Sequence, residues 1–254
     1  MSSLRLENVS KRFGGLKAIS DLSMSVPEGV ITGLIGPNGA GKSTVVNLIT
    51  GILSLSEGQI IMDGRSIGEA RPEEVVRLGV ARTFQNIRLL PEATVLENVM
   101  IGFHRHETSS IVAGLLGLPA SRAETRDFQA RSHDLLARFR MTEFSETPAG
   151  ALAYGHQRRV EMMRAVASAP RILLLDEPVA GMNDVEADEL GEIFRSLARS
   201  GMGLLLIEHN TRFVSKLCEH VFVLDTGRLI AQGAPAQVMR DPAVVAAYLG
   251  TAVP

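Results

Sequence analysis

Residues 36–43 read Gly36-Pro37-Asn38-Gly39-Ala40-Gly41-Lys42-Ser43, a complete match to the phosphate-cradling pattern G-x-x-x-x-G-K-[ST]. Glycines at these positions let backbone N–H groups turn inward around phosphate oxygens, and a helix N-terminus following the loop attracts anions. Lys42 is expected to reach the β- and γ-phosphates of a nucleoside triphosphate, and the Ser43 hydroxyl to complete a Mg²⁺ shell. The motif carries weight only between a strand and a helix, and its neighbours supply both. Val30 to Ile35 is a short apolar run of the kind that forms a buried strand, and Ser43 to Thr50 carries Val46, Leu48 and Ile49 without a breaker. Gly51 stands where a helix C-terminus would place it.

Outward from the loop, Leu4 to Val9 and Ala18 to Val26 alternate apolar and polar residues, as half-buried strands do, and Gly58 to Gly64 is another short strand bounded by turn residues. These pieces predict an antiparallel sheet beside the nucleotide site. From about 91 to 168 the pattern becomes helical, with Phe128, Leu135, Leu136 and Phe139 on one face. Strand signals return at Ile172–Leu175, Gly203–Ile207 and Val221–Leu224, alternating with helices, which predicts a parallel, doubly wound core. Asn183, followed by Glu186 three residues on, resembles a capping box. Asp225 to Arg228 reads as a hairpin turn, and Asp241-Pro242 as the start of a last short helix.

The bulk properties set limits on function. With 26 basic and 28 acidic residues, the chain shows no electrostatic footprint for nucleic acid, so none is expected as a partner. The single cysteine, Cys218, excludes a disulfide framework and is expected to be a buried structural thiol. Met1 to Arg5 lacks the pattern of a secretory leader, and Ile111 to Leu118 falls far short of the ~20 residues that span a bilayer. That stretch reads either as a packed helix or as part of a groove for a membrane-domain helix. His104 and His106 lack the company of a metal site. The charged residues Glu124, Arg126, Asp127 and Arg131 read as a solvated helix face.

A second strong signal is Arg171 to Pro178, a buried strand ending in Asp176-Glu177. Consecutive carboxylates at the carboxyl edge of a sheet lie where α/β proteins bind ligands. Asp176 is expected on the Mg²⁺ side, and Glu177 beside the attacking water; a plain surface turn is the alternative.

Together, the loop Gly36 to Ser43, the segment Arg82-Thr83-Phe84-Gln85, the run Leu152 to Arg159, the strand end Asp176-Glu177-Pro178 and Ile207-Glu208-His209 stand in the order found in ATP-binding cassette (ABC) ATPases. The chain resembles that family from Leu4 to Leu249. The resemblance implies an α/β fold: a P-loop NTPase core with an antiparallel β subdomain, at about 1–90 and 169–254, and an inserted helical subdomain at about 91–168, forming one ABC domain over 1–254. It implies ATP and Mg²⁺ as ligands, with Lys42, Gln85, Glu177 and His209 catalytic and Ser43, Gln85 and Asp176 toward the metal. The nucleotide-binding set it implies is Phe13, Gly36, Pro37, Asn38, Gly39, Ala40, Gly41, Lys42, Ser43, Thr44, Gln85, Asp176 and His209, with Ala153, Tyr154, Gly155 and His156 serving the nucleotide of a second subunit.

In that picture Phe13 stacks on adenine, a core aromatic being the alternative. His209 contacts the γ-phosphate, a capping or core histidine being the alternative, and Ala180 to Asn183 forms a loop where two subunits touch. The run Leu152-Ala153-Tyr154-Gly155-His156 departs from the common Leu-Ser-Gly-Gly-Gln at three places, and a weakly hydrolysing or purely regulatory site stands as the alternative. The departure, the Arg82 to Leu89 segment and the ending from Asp241-Pro242 to Tyr248-Leu249-Gly250 resemble the ATP-binding subunits of branched-chain amino-acid uptake systems. The subunits that energise lipopolysaccharide export share much of the pattern, and non-transport ABC ATPases are a further alternative. The implied partners are transmembrane permease subunits, a second ABC ATPase (a copy or a paralogue) and, indirectly, an extracytoplasmic substrate-binding protein. The implied location is the cytoplasmic face of the membrane.

Overall fold

The computed structural model describes residues 3–83, 87–107 and 119–249. The chain divides into two compact units, one of Met1–Arg82 with Arg171–Pro254 and one of Thr83–Pro170.

The first unit holds two sheets. Strands β1 (Ser3–Phe13), β2 (Leu16–Pro27), β4 (Glu57–Met62) and β5 (Arg65–Ser66) form an antiparallel sheet in the order β2-β1-β4-β5. The second sheet contains β3 (Ile31–Ile35), β6 (Val80–Arg82), β7 (Ile172–Asp176), β8 (Gly203–Ile207), β9 (His220–Asp225) and β10 (Arg228–Gly233), in the order β10-β9-β3-β8-β7-β6. Strands β9, β3, β8, β7 and β6 pair in parallel, and only the hairpin partner β10 runs antiparallel. Strands β3, β7 and β8 are buried at every position, which explains why they read as continuous apolar runs rather than alternating ones. Helix α1 (Lys42–Ile49) buries Val45, Val46, Leu48 and Ile49 in the same apolar core as Leu4, Leu6 and Leu22 of the first sheet and Leu174 and Leu205 of the second. A core shared by two sheets and one helix holds the loop before α1 on both sides.

The strand signals of the sequence correspond to β1–β4 and β7–β9. Among the elements that went unforeseen are α2 (Pro72–Arg77) and the three-residue β6. Both are too short to show a period, and β6 is a strand only because it pairs with β7. Helix α6 (Asp184–Arg199) buries the expected stripe of Leu190, Ile193, Phe194 and Leu197, and Asn183 with Glu186 forms the expected capping box. The β9–β10 turn places Thr226 and Gly227 at positive φ, as a tight hairpin demands. Helices α7 (Thr211–Leu217), α8 (Pro235–Val238) and α9 (Pro242–Leu249) complete this unit.

The second unit is helical, with α3 (Val95–Ile101), α4 (Pro119–Arg138) and α5 (Tyr154–Ala167). Its core gathers Val95, Val99, Phe103, Leu136, Phe139, Val160 and Met163, with Phe103 stacked on Phe128 at 5.4 Å. Arg131 pairs with Asp127 one turn away at 3.4 Å, the mixed-sign face expected of α4. The apolar stretch Ile111 to Leu118 lies outside the described residues. Among the described residues, no helix is long and apolar enough to cross a membrane.

Candidate nucleotide site and signature helix

The phosphate loop is shaped by what surrounds it. A Cβ on Gly36, whose φ is 150°, would sit 2.1 Å from the Leu224 carbonyl oxygen of β9. One on Gly41, at φ 103°, would meet Ile19 Cδ1 at 2.6 Å. Both positions combine a left-handed backbone with a close neighbour, so only glycine fits. Gly41 has no side chain to cap α1, whose first N–H groups stay available to a ligand. Lys42 folds back over the loop, donating to the carbonyls of Gly36 at 2.6 Å and Pro37 at 3.0 Å. Burial lowers the pKa of its ammonium, while Glu177 and Asp176 oppose that shift, which places both carboxylates within its electrostatic reach. Ser43 and Asn38 are exposed, while Pro37 and Ala40 are buried.

Asp176 closes β7, and Arg82 of the neighbouring β6 holds its Oδ2 at 2.8 Å. The same guanidinium donates to Asn47 Oδ1 of α1 at 2.6 Å, so the arginine ties the acidic strand end to the helix behind the phosphate loop. Arg82 and Asp176 side chains are 12% and 8% exposed, a setting in which an ion pair is little screened by solvent. Glu177 follows in a left-handed conformation, φ 48°, uncommon for a residue with a Cβ. Its N–H donates to the Ile207 carbonyl of β8 at 2.9 Å. His209, two residues past that carbonyl, is exposed and brings Nδ1 to 3.7 Å from Glu177 Oε1. The parallel register pairs Asp176 with Ile207, so the carboxylates and the histidine emerge from adjacent strands at the same sheet edge.

Between Ile207 and His209 stands Glu208, fully buried. Burial pushes its carboxyl above the ordinary carboxylate range, against hydrogen bonds from the Val179, Asn210 and His209 backbones and the nearby His209 ring. Behind it, Cys218 is buried and its thiol pushed up to about 12, first by burial and then by Glu208 and Glu219. That is the inert structural thiol expected from the sequence.

Phe13 ends β1, 45% exposed, with the Lys11 ammonium 5.1 Å from its ring centre, so it is not a core aromatic. Gln85 lies outside the described residues, as does Phe84. His104 Nδ1 lies 2.6 Å from Glu107 Oε2, and His106 faces the Ser168 carbonyl.

In the second unit, Ala153 occupies the N-cap of α5 and offers no side-chain cap. Tyr154 is exposed, and a Cβ added to Gly155 would meet nothing within 4 Å. His156 packs its ring 4.6 Å from that of Phe144, a local reason for a ring at a position where the common signature has glutamine. The helix is anchored behind by buried Arg158, paired with Glu161 at 3.0 Å, and by Gln157, which donates to the Leu152 carbonyl at 2.9 Å.

Three residues carry structure that the motifs did not single out: Arg82 and Glu208 at the sheet edge and Asn47 of α1 behind the phosphate loop. Their sequence signals are slight. Arg82 and Glu208 are charges directly abutting short apolar strands, and Asn47 is a polar residue within an otherwise apolar helix run.

Comparison with known proteins agrees with this geometry. The model of the family described as ABC transporter matches residues 19–180, and that described as branched-chain amino acid ATP-binding cassette transporter matches 228–254. The chain is 40% identical over 250 residues to the high-affinity branched-chain amino acid transport ATP-binding protein BraF of Pseudomonas aeruginosa, covering 98% of each. It is 37% identical to LivG of Escherichia coli, likewise a high-affinity branched-chain amino acid transport ATP-binding protein, again over 98% of each. The lipopolysaccharide export system ATP-binding protein LptB of Haemophilus influenzae is 33% identical over the same shares. Among solved structures, the ADP conformation of MJ1267, an ATP-binding cassette of an ABC transporter, superposes with a TM-score of 0.85 at 34% identity, covering 98% of this chain and 99% of that one. The family model covers more than half of the chain and these relatives nearly all of it, so the chain belongs to the ABC transporter family.

Proposed function

We propose that this chain is the ATP-binding and ATP-hydrolysing subunit of an importer for branched-chain or related amino acids, working at the cytoplasmic face of the membrane on separate permease subunits. The observation that carries the proposal is 40% and 37% identity, over 98% of each chain, to two branched-chain amino acid transport ATP-binding proteins, joined to the C-terminal family match. Lipopolysaccharide export is the weaker reading, since that relative stands lower in identity and the C-terminal match names branched-chain transport.

The chemistry asked of the site is phosphoryl transfer to water, which needs positioning and charge stabilisation more than covalent help. Lys42 and the loop N–H groups of Gly36 to Thr44 hold the phosphates, and Phe13 takes the adenine. A hydroxyl from Ser43 and a carboxylate from Asp176 are hard oxygen donors of the kind Mg²⁺ prefers, and with Gln85 and phosphate oxygens they would hold it without an all-protein cage. The metal supplies charge neutralisation when bound. Glu177 orients the attacking water and accepts its proton, while His209 contacts the γ-phosphate. The segment Ala153 to His156 addresses the nucleotide of a second ATPase subunit, a copy or a paralogue, through the free N–H groups at the start of α5. Without a serine hydroxyl at Ala153, that contact leans on backbone donors.

A single substitution tests the reading. Glu177→Gln is expected to bind ATP as the wild type does, to lose turnover and to accumulate an ATP-bound dimer in gel filtration. In cells, replacing the native copy with this variant should abolish uptake of labelled leucine, isoleucine and valine. Equal ATPase rates for the two proteins would remove Glu177 from its role, and undiminished uptake would remove the assigned substrate class.

A further inference from the structure

Glu208 is a fully buried carboxylate that the motifs leave without a task. Its oxygens divide their hydrogen bonds between two loops. Oε1 accepts from the N–H of Val179, two residues past Glu177, at 3.2 Å. Oε2 accepts from the N–H of His209 at 3.2 Å, and the Asn210 N–H also donates to this carboxylate. It is not there to cap the helix that follows: Asn210 already does so, accepting from the Phe213 N–H at 3.0 Å. Nor does burial alone recommend it, since a carboxylate removed from water is costly unless donors surround it. What Glu208 adds is a crosslink. Together with the Glu177 N–H on the Ile207 carbonyl, it binds the loop after β7 to the loop after β8 at two points.

We propose that Glu208 is a positioning residue for ATP hydrolysis, locking the loop that carries Glu177 to the loop that carries His209 so that both side chains address one phosphate. The proposal rests on the reading of Glu177 and His209 given above. The crosslink accounts for a non-glycine residue being held at φ 48° at position 177, and for the 3.7 Å approach of His209 Nδ1 to Glu177 Oε1. Replacement by glutamine keeps the volume but turns one acceptor into a donor facing backbone N–H groups, so the lock opens on one side.

The test uses the purified full-length chain and compares wild type, Glu208→Gln, His209→Ala and the double variant. Affinity is read with a fluorescent ATP analogue and turnover by steady-state hydrolysis. For Glu208→Gln we expect affinity and KM within about twofold of wild type and kcat at least about tenfold lower. In the His209→Ala background, the same change should cost at least about threefold less than in the wild type, because one of the two positioned groups is gone. A kcat within twofold of wild type overturns the proposal, as does an equal fold loss in both backgrounds. Failure of Glu208→Gln to fold, despite its matched volume, overturns it too and makes Glu208 a folding residue. Equal rates for wild type and Glu177→Gln would instead overturn the reading beneath it, leaving the Glu208 cycle to be judged on its own.

Discussion

Two glycine-bearing turns of this protein, the phosphate loop and the start of the signature helix, are built on opposite logics. At Gly36 the backbone of Leu224 leaves no room for a Cβ, at Gly41 the Ile19 methyl would have to yield, and both backbones are left-handed. At Gly155 the backbone is helical and the space is open. The interior of the molecule accounts for the first two glycines and offers no account of the third. The helices behind them share one feature: α1 and α5 begin at Gly41 and Ala153, residues with nothing to cap with, as the four-residue α8 does at Ala234, whereas α3, α6 and α7 are capped by Thr94, Asn183 and Asn210. Uncapped N-termini retain N–H groups for an external anion. The contrast teaches that the phosphate loop is constrained from within the fold, while the openness at Gly155 fits a ligand or partner arriving from outside it.

That contrast can be broken by substitution. Gly36→Ala should be the most damaging, because a Cβ overlaps backbone rather than a yielding side chain; a loss of about 4 kcal/mol or more is expected in urea denaturation. Arg82→Ala removes one partner of a nearly buried ion pair and strands Asp176, with an expected loss of about 3 kcal/mol by the same measurement. Asn183→Ala, at a helix that does carry its own cap, should cost about 1 kcal/mol, read from the thermal midpoint. Gly155→Ala should change stability by less than about 0.5 kcal/mol, since nothing lies within reach of the new methyl. Its effect should fall on ATP turnover in the assembled transporter. If Gly155→Ala destabilises the isolated chain as Gly36→Ala does, the two turns are alike and the comparison fails. If it leaves turnover untouched, no close approach occurs there.

Much of the molecule was legible from local pattern. The buried strands announced themselves as apolar runs, the α6 cap as Asn183 with Glu186, and the β9–β10 turn as Asp225 to Arg228. These features depend on residues a few positions apart, so periodicity and turn chemistry reveal them directly. The strand β6 and helix α2 escaped because each is shorter than the period that would mark it.

The sequence by itself determined the chemistry of the sheet edge: a glycine loop before Lys42 and Ser43, carboxylates at 176 and 177, and a histidine at 209. Only the tertiary structure decided how these are held. Arg82 meets Asp176 because β6 lies beside β7, and Glu208 meets Val179 because β7 lies beside β8. His156, in the first turn of α5, rests on Phe144 because the chain between them folds back on itself. Strand order is set by which apolar faces can be buried together, a property of the whole core. Contacts that follow from it, between residues 94 apart in the Arg82–Asp176 case, leave no trace in any local stretch of the chain.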